Sequence, residues 1–228
     1  HEKNKCGHTT IGTNFALLRE GKLDKKEFMI ETKAGVLPIS IYEKNHQTFI
    51  TMQHAAPQFV PFEESLKTLA EAIGLQEQDI DTDYPTLYGS TGIWTLIVPI
   101  RDLASFGKMK PQTATFPSIL KEMPKMSIHP VCLDVRDMES TMHGRHFSSP
   151  YSGTIEDAVT GTASGVMGAY YKKYVNPLLS LPATLIVEQG HEIGKDGKVF
   201  VHVNGTAEQL DISISGTAVY VKDIELEI

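Results

Sequence analysis

Cys6-Gly7-His8-Thr9-Thr10-Ile11-Gly12, near the start of the chain, shares its design with the distant stretch Thr160-Gly161-Thr162-Ala163-Ser164-Gly165. In each stretch a glycine precedes small or hydroxyl-bearing residues, and apolar residues at helical spacing follow. These apolar residues are Ile11, Phe15 and Leu18 in the first case and Val166, Met167 and Tyr170 in the second. Helix breakers come next, at Gly21 and at Asn176-Pro177. Both stretches therefore predict a helix that begins at a glycine, called a glycine start below.

A helix start is a favourable place for an anion. Its first backbone N–H groups have no partner within the helix, and the helix dipole adds partial positive charge there. Glycine at this position lets a ligand approach the backbone closely. The two starts predict two halves of the molecule that face one carboxylate or phosphate group.

Composition limits the class of protein. With 228 residues and 41% hydrophobic content, the chain can bury a core of one or two domains. The formal net charge of -7 argues against a nucleic-acid backbone as partner. The two cysteines, Cys6 and Cys132, do not suit a disulfide scaffold, and they favour a reducing cytoplasm. Apolar runs such as 93–98 have the length of a strand, well short of a membrane span.

The first third of the chain is predicted to form a hairpin and a third strand after the first helix. The predicted strands are 28–32, 36–42 and 48–52, with a hairpin turn at Lys33-Ala34-Gly35. A surface helix is predicted over Glu63 to Gly74, which has one apolar face. The segment from Ala56 to Phe62 carries two prolines between unlike patterns and is the predicted domain boundary.

The remainder repeats strands and helices around the second glycine start. A strand is predicted over Trp94 to Ile100 and a short helix around Pro117. Further predicted strands are 131–133 and 144–147, followed by a closing antiparallel sheet of 185–188, 199–203, 210–214 and 217–221. Turns between the closing strands are predicted at Gly190, Gly197, Gly205 and Gly216.

The second helix is rich in small residues, which include Gly165 and Gly168. Glycine inside a helix costs up to about 1 kcal/mol relative to alanine, so close packing against a sheet is expected there. The predicted class is α+β, with two pseudo-symmetric lobes that each wrap a curved antiparallel sheet or barrel around one helix. The first lobe is predicted over 1–58, incomplete at its N-terminus, with a strand at 218–228 as a candidate to complete it; the second lobe is predicted over 59–217.

Several short motifs, in order along nearly the whole chain, resemble the PhzF-like family of phenazine-biosynthesis proteins, which share the diaminopimelate-epimerase fold. The motifs are Glu2 with Cys6-Gly7-His8-Thr9-Thr10, Ser90-Thr91-Gly92, Arg145-His146-Phe147 with Pro150, Glu156-Asp157-Ala158-Val159-Thr160-Gly161-Thr162-Ala163, and Gln189-Gly190-His191-Glu192-Ile193-Gly194. The resemblance implies a cofactor-free isomerase, usually a homodimer, with its active site in a cleft between the lobes. The expected substrate is a small carboxylate-bearing metabolite of unspecified identity.

Site residues follow from the same resemblance. It implies catalytic roles for His8, Asp157 and Thr162, and we expect substrate binding at Gly7, Thr9, Gly161, Ala163 and Ser164. Thr162 stands where the family commonly has serine, which keeps the hydroxyl, and Ala158 stands where it commonly has proline. The family's general acid/base glutamate lies in a Ser-Glu-Thr-like motif upstream of the first glycine start. Glu2 matches a different family position, so we expect that the N-terminal segment is missing from this chain, which by itself would then be inactive.

Simpler roles and other chemistries compete with this interpretation. His8 and Asp157 are also typical helix-capping or packing residues, and Thr162 is a possible N-cap. A two-thiol epimerase is disfavoured because the second glycine start offers threonines, and a serine hydrolase because the glycine spacing is wrong. A metal site at His129, His143 and His146 lacks further ligands at suitable spacing, so we predict no metal and no cofactor. The remaining alternative is a metabolite-binding protein of the same fold that lacks the glutamate base.

Overall fold

The structure of the protein, a computed structural model, describes residues 7–32 and 35–222. Contacts between Cα atoms divide the chain into two compact units. One comprises His1–Gln53 and Ser215–Ile228, of which residues 7–32, 35–53 and 215–222 are described, and the other is His54–Ile214. The predicted lobes, 1–58 and 59–217, remain a prediction, and each unit is described by itself.

The first unit contains helix α1 and a three-stranded antiparallel sheet. Its elements are α1 (Gly7–Arg19), β1 (Glu27–Thr32), β2 (Gly35–Lys44) and β3 (Gln47–Gln53). Alternate residues of β2 and β3 point into the core, where Ile39, Ile50 and Met52 are buried. The first helix, the hairpin strands and the third strand are confirmed, whereas turn residues 33 and 34 lie outside the described residues.

The second unit holds most of the secondary structure. Its helices are α2 (Leu66–Ala72), α3 (Leu103–Lys108), α4 (Phe116–Ile119) and α5 (Gly161–Tyr170). Its strands are β4 (Gln58–Pro61), β5 (Leu87–Ser90), β6 (Trp94–Pro99), β7 (Ser127–Cys132), β8 (Met142–Gly144), β9 (His146–Phe147), β10 (Glu156–Asp157), β11 (Ala183–Gln189), β12 (Gly197–Gly205) and the first part of β13 (Leu210–Gly216). The sheet order in this unit is β13-β12-β11-β8-β7-β6-β5-β4, and β9 pairs with both β7 and β10.

This sheet is mixed, which corrects the purely antiparallel prediction. The pairs β6–β7 and β8–β11 are parallel, while β11–β12, β5–β6 and β7–β8 are antiparallel. Parallel neighbours need a long crossover connection. Helices α3 and α4 lie in the connection from β6 to β7, and α5 lies in the connection from β8 to β11. The α+β class is confirmed, whereas the two-lobe arrangement stays a prediction.

The predicted boundary segment 56–62 contains strand β4, which pairs with β5, and the boundary itself stays a prediction. Three other local predictions are wrong. The predicted strand 144–147 is interrupted at Arg145, where β8 ends and β9 has not begun. Residues 217–221 form no strand, and Val219 is 81% exposed; residues 223–228 of the predicted strand 218–228 lie outside the described residues. Gly197 and Gly216 lie at strand ends, whereas Gly190 and Gly205 have positive φ and make the expected turns.

Helix α5 is the buried helix of the second unit. Every residue from Ala163 to Tyr170 is buried, and the helix packs against β5, β6 and β12. A Cβ atom on Gly165 would lie 2.4 Å from Nδ1 of His54, and one on Gly168 would lie 2.4 Å from Cγ1 of Val201. The predicted close packing of this helix is therefore confirmed, and it explains why glycine occupies both positions.

Candidate functional site

The start of α5 presents backbone N–H groups at its first turn. Thr160 is the N-cap residue, with φ -111° and ψ 92°, and the helix begins at Gly161. The N–H and the hydroxyl of Ser164 both donate to the Thr160 carbonyl at 2.9 Å. Helix geometry leaves the N–H groups of 161 to 163 without an intrahelical acceptor. The backbone N–H groups of Gly161, Thr162 and Ala163 are thus the candidate ligand donors. The N–H and the hydroxyl of Ser164 instead donate within the helix.

Asp157 lies just before this helix start, on the short strand β10. It is half-buried and pairs in register with His146 of β9. Its Oδ2 accepts a hydrogen bond from the Thr160 hydroxyl at 2.7 Å. A carboxylate three residues before the N-cap residue is therefore tied to the N-cap side chain. The structure therefore joins the segment of Asp157 to the first turn of α5, which contains Gly161 and Thr162.

A buried ion pair anchors β10. Arg145 donates to both carboxylate oxygens of Glu156, from Nε at 2.9 Å and from Nη2 at 2.7 Å. The two side chains are 7% and 8% exposed. The third guanidinium nitrogen, Nη1, donates to the Phe106 carbonyl at 2.6 Å. This bidentate geometry fixes both orientation and distance, so it holds the residue next to Asp157 in place.

Thr162 is the second helical residue, and the possible N-cap role is wrong because Thr160 takes that position. The side chain of Thr162 is half-buried. Its carbonyl oxygen accepts from the Thr91 hydroxyl at 3.4 Å, and Nδ1 of His54 lies 2.9 Å from that hydroxyl. The Ser90-Thr91-Gly92 motif therefore contacts the first turn of α5.

The first glycine start lies in the other unit. Helix α1 begins at Gly7, as the sequence predicts, and Thr9 is exposed in its first turn. Cys6 and the side chain of His8 lie outside the described part of the structure. The arrangement of His8 opposite Asp157 across one ligand stays a prediction.

Sequence reasoning missed two residues at the second glycine start, Thr160 and Gln189. The buried Gln189 amide accepts from the Thr160 N–H at 3.1 Å and donates to the Asp157 carbonyl at 2.7 Å. The same amide nitrogen lies 3.3 Å from the Thr160 hydroxyl. Both residues stand inside motifs that resemble the family, but adjacency in sequence gave no sign that the motifs meet in space.

The three histidines considered for a metal belong to two separate clusters. His129 is fully buried, with Nδ1 3.1 Å from Nδ1 of His146 and Nε2 2.7 Å from the Met167 sulfur. Burial, assisted by the neighbouring His146, lowers the pKa of His129 well below its ordinary value. A neutral imidazole carries one proton, and a thioether can only accept, so that proton is on Nε2. Nδ1 then accepts from His146.

His143 lies in a second cluster, with acidic neighbours on both sides. Its Nδ1 is 2.7 Å from Glu188 Oε1, and its Nε2 is 3.1 Å from Glu192 Oε1. Among the described residues, His143, Glu188 and His191 are the group able to offer three metal-ligand atoms within 4.8 Å of one another. Both nitrogens of His143 and both oxygens of Glu188 already make hydrogen bonds, the latter also to the N–H groups of Arg136 and Asp137. The arrangement fits a hydrogen-bonded structural cluster.

The acids of this cluster have lowered pKa values. Burial opposes ionisation of Glu192, but the hydrogen bond and charge of His143, with help from Arg136, outweigh burial and bring the pKa of Glu192 to about 2. Burial likewise opposes ionisation of Glu188, and hydrogen bonds from Arg136, His143 and Asp137 lower its pKa overall. These carboxylates stay ionised because donors surround them.

Comparison with known proteins identifies the family. Residues 1–223 match PhzC-PhzF, described as phenazine biosynthesis-like protein. The chain is 49% identical over 221 residues to the "Uncharacterized isomerase YfhB" of Bacillus subtilis, covering 96% of this chain and 74% of that protein. It is 24% identical over 213 residues to the trans-2,3-dihydro-3-hydroxyanthranilate isomerase of Pseudomonas aeruginosa, covering 92% of this chain and 70% of that protein.

A solved structure agrees with the sequence relatives. The PhzF-family phenazine biosynthesis protein of Bacillus anthracis superposes with a TM-score of 0.96 at 53% identity, covering 100% of this chain and 78% of that one. The relatives named isomerases place the chain in the isomerase class. The chain belongs to the PhzC-PhzF family of phenazine biosynthesis-like proteins, which confirms the resemblance and, at the level of class, the predicted isomerase. Within the described residues, each helix is too short or too polar to traverse a bilayer.

Proposed function

We propose that this protein is a cofactor-independent isomerase that moves a proton on a small carboxylate-bearing metabolite. The observation that carries the proposal is the hydrogen bond from the Thr160 hydroxyl, at the N-cap of α5, to Asp157 Oδ2. It supports a site in which this carboxylate and the N–H groups of the first turn of α5 act together. The family relatives that are named isomerases support the reaction class.

In the proposed reaction, the substrate carboxylate binds to the N–H groups of Gly161, Thr162 and Ala163, with the Thr162 hydroxyl as a further donor. A proton leaves one carbon of the substrate and a proton is returned to another position, so the molecular formula does not change. Asp157 orients the reacting part of the substrate and stabilises charge during the transfer. His8 keeps its proposed catalytic role, and the family's glutamate base, implied by resemblance, is the group that carries the proton.

Proton transfer needs only acids, bases and hydrogen-bond donors, so the proposal includes no metal or organic cofactor. The substrate named for the Pseudomonas aeruginosa relative, trans-2,3-dihydro-3-hydroxyanthranilate, is a carboxylate and is the first compound to test. The predicted homodimer and cytoplasmic location belong to this proposal as well. Sedimentation of the full-length protein would test the dimer.

The test is deuterium incorporation in D₂O, followed by NMR, with trans-2,3-dihydro-3-hydroxyanthranilate and a panel of small unsaturated or amino-substituted acids. The full-length wild-type protein should incorporate deuterium into at least one compound. Asp157→Asn should lower that rate by about 100-fold to 10,000-fold, the usual range for a positioned acid or base group. The exposed aspartate Asp83, changed to Asn, is the matched control and should keep the wild-type rate.

Two results would count against the proposal. An Asp157→Asn protein with the control's rate would remove Asp157 from the chemistry. A wild-type protein that binds compounds of the panel but exchanges no proton in any of them would favour the metabolite-binding alternative.

A further inference from the structure

We propose that Gln189, together with Gly190 and Gly197, is the positioning site for Asp157. These three residues, called the loop seat below, lie at the end of β11 and the start of β12, where Gln189 and Gly197 are register partners. The inference rests on the proposed function and assigns a role to the Gln189-Gly190 motif, which the reaction itself leaves unused. Gln189 does not touch the reacting atoms in this account, and it acts through Asp157.

The orientation of the Gln189 amide is determined by its partners. The Thr160 N–H can only donate, and the Asp157 carbonyl can only accept, so Oε1 must face the former and Nε2 the latter. A flipped amide would place two donors together and two acceptors together. One side chain therefore joins both ends of the segment that carries Asp157.

The amide also orients the carboxylate of Asp157 through one hydroxyl. Nε2 of Gln189 is a donor, so the Thr160 hydroxyl, 3.3 Å away, accepts from it. The hydroxyl proton is then directed to Oδ2 of Asp157 at 2.7 Å. The hydrogen bonds run in one direction, from Gln189 to Thr160 to Asp157, and they fix one carboxylate oxygen. The other oxygen, Oδ1, makes no hydrogen bond within the described residues.

The two glycines of the loop seat lie close to Ala158 and Val159, the middle of the segment from Asp157 to Thr160. A Cβ atom on Gly190 would lie 2.7 Å from the Ala158 carbonyl oxygen, and Gly190 also has a positive φ of 92°. A Cβ on Gly197 would lie 2.7 Å from Cγ2 of Val159. A methyl group on Gly197 would therefore displace Val159, and one on Gly190 would collide with Ala158 as well as with the Lys195 carbonyl oxygen, at 2.2 Å. Each residue from 157 to 160 has a contact on the loop seat.

The neighbouring residue on β11 shows how specific this contact is. Glu188 and Gln189 are both fully buried, and successive side chains of a strand point to opposite faces. Glu188 accepts from the backbone N–H groups of Arg136 and Asp137, at 2.6 and 3.0 Å, and so holds a different loop. The loop with the candidate acid is held by a neutral amide instead, through the Thr160 N–H and the Asp157 carbonyl.

Amide hydrogen exchange tests the loop seat without any substrate. Gln189→Met keeps the length of the side chain and removes both hydrogen-bond functions. Exchange at the Thr160 N–H should then become at least tenfold faster than in the wild-type protein. The control is Thr95→Val, which removes a buried hydroxyl bonded to Ser127 on strands β6 and β7. In the control, exchange at Thr160 should stay within twofold of wild type; equal exchange in Gln189→Met and the control would overturn the inference.

Kinetics on a compound turned over by the wild type test the positioning role. Gln189→Met and Thr160→Val should each lower kcat by about 10-fold to 100-fold and change KM by less than about threefold, because misplacement of a reacting group by 1 Å can cost 100-fold. Thr160→Ser keeps the hydroxyl and should recover most of the loss. Thr95→Val, measured at a temperature where all variants are folded, should keep the wild-type kcat.

The two proposals fail in different ways. If Asp157→Asn is inactive while Gln189→Met and Thr160→Val keep the wild-type kcat, the loop seat is not a positioning site and the proposed function survives. If Thr160→Ser has as low a kcat as Thr160→Val, the Thr160 hydroxyl does not orient Asp157 as proposed. If Asp157→Asn is fully active, the proposed function fails, and with it the catalytic role of the loop seat.

Discussion

Helices α1 and α5 begin with similar sequences, yet they are packed very differently. In α5 every residue from Ala163 to Tyr170 is buried, whereas in α1 Asn14 is the buried residue among the side chains that the structure describes. Among the described residues, a Cβ on Gly12 of α1 would meet no atom within 4 Å, while a Cβ on Gly165 or Gly168 of α5 would have a neighbour at 2.4 Å. A glycine start therefore predicts where a helix begins, and the small residues further along predict how closely it is packed.

Gly168→Ala should give the largest stability change in this comparison. The new methyl would lie 2.4 Å from Cγ1 of Val201, a stiff side chain on β12, so the helix or the strand must shift. We expect a loss of about 3 kcal/mol in the free energy of unfolding, at the upper end of the range for overpacking. Urea unfolding monitored by the fluorescence of Trp94, the single tryptophan, measures the change in this unit.

The double variant Gly168→Ala with Val201→Ala checks the cause. Removal of the valine methyl groups should recover part of the loss that Gly168→Ala produces, and Val201→Ala alone should be destabilising. Strictly additive effects would show that the contact between these two residues is not the source of the crowding.

Acid should destabilise the unit of α5 through the His143 cluster. The pKa of Glu192 is about 2 in the folded protein, below its ordinary value of 4.5, so its stabilising contribution is present above pH 4.5 and is lost as the pH falls toward 2. The shift corresponds to on the order of 3 kcal/mol. The ion pair of Lys22 with Glu20, in the described part of the α1 unit, is exposed and should contribute far less.

Glu192→Gln tests this acid dependence. The variant should be less stable than wild type at pH 7, and the difference should shrink as the pH is lowered from 5 to 3. The measurement is Trp94 fluorescence in urea at each pH. A difference that stays constant across this range would mean that Glu192 does not titrate as described.

Gly12→Ala should give the smallest effect, with the opposite sign. No atom in residues 7–32 or 35–222 obstructs a methyl group at this helical position, and alanine is favoured over glycine there, so we expect a gain of about 0.5 to 1 kcal/mol. Thermal unfolding followed by circular dichroism measures it. A loss of stability would show that Gly12 is as crowded as the glycines of α5.

Sequence patterns predicted helices and strands correctly where the residues of one short segment determine the structure. The helix starts at Gly7 and Gly161, the hairpin of β1 and β2, and the close packing of α5 could all be predicted from the sequence. The parallel strand pairs and the absence of a strand at 217–221 depend on tertiary partners, which spacing along the chain does not reveal.

The same limit applies to the candidate site. Asp157 and Thr162 could be named because they share one short segment. The roles of Thr160 and Gln189 could not, because the hydrogen bonds between them span 29 residues and depend on the end of β11. Ser164 was expected to bind the ligand, but helix geometry uses its N–H and its hydroxyl on the Thr160 carbonyl.

The most direct test of the central claim is the rate of deuterium incorporation by Asp157→Asn, compared with wild type and Asp83→Asn under conditions where all three proteins are folded. The account predicts a rate at least about 100-fold below wild type for Asp157→Asn and a wild-type rate for Asp83→Asn. Equal rates for all three proteins would contradict the assignment of the segment from Asp157 to Ala163 as the active site.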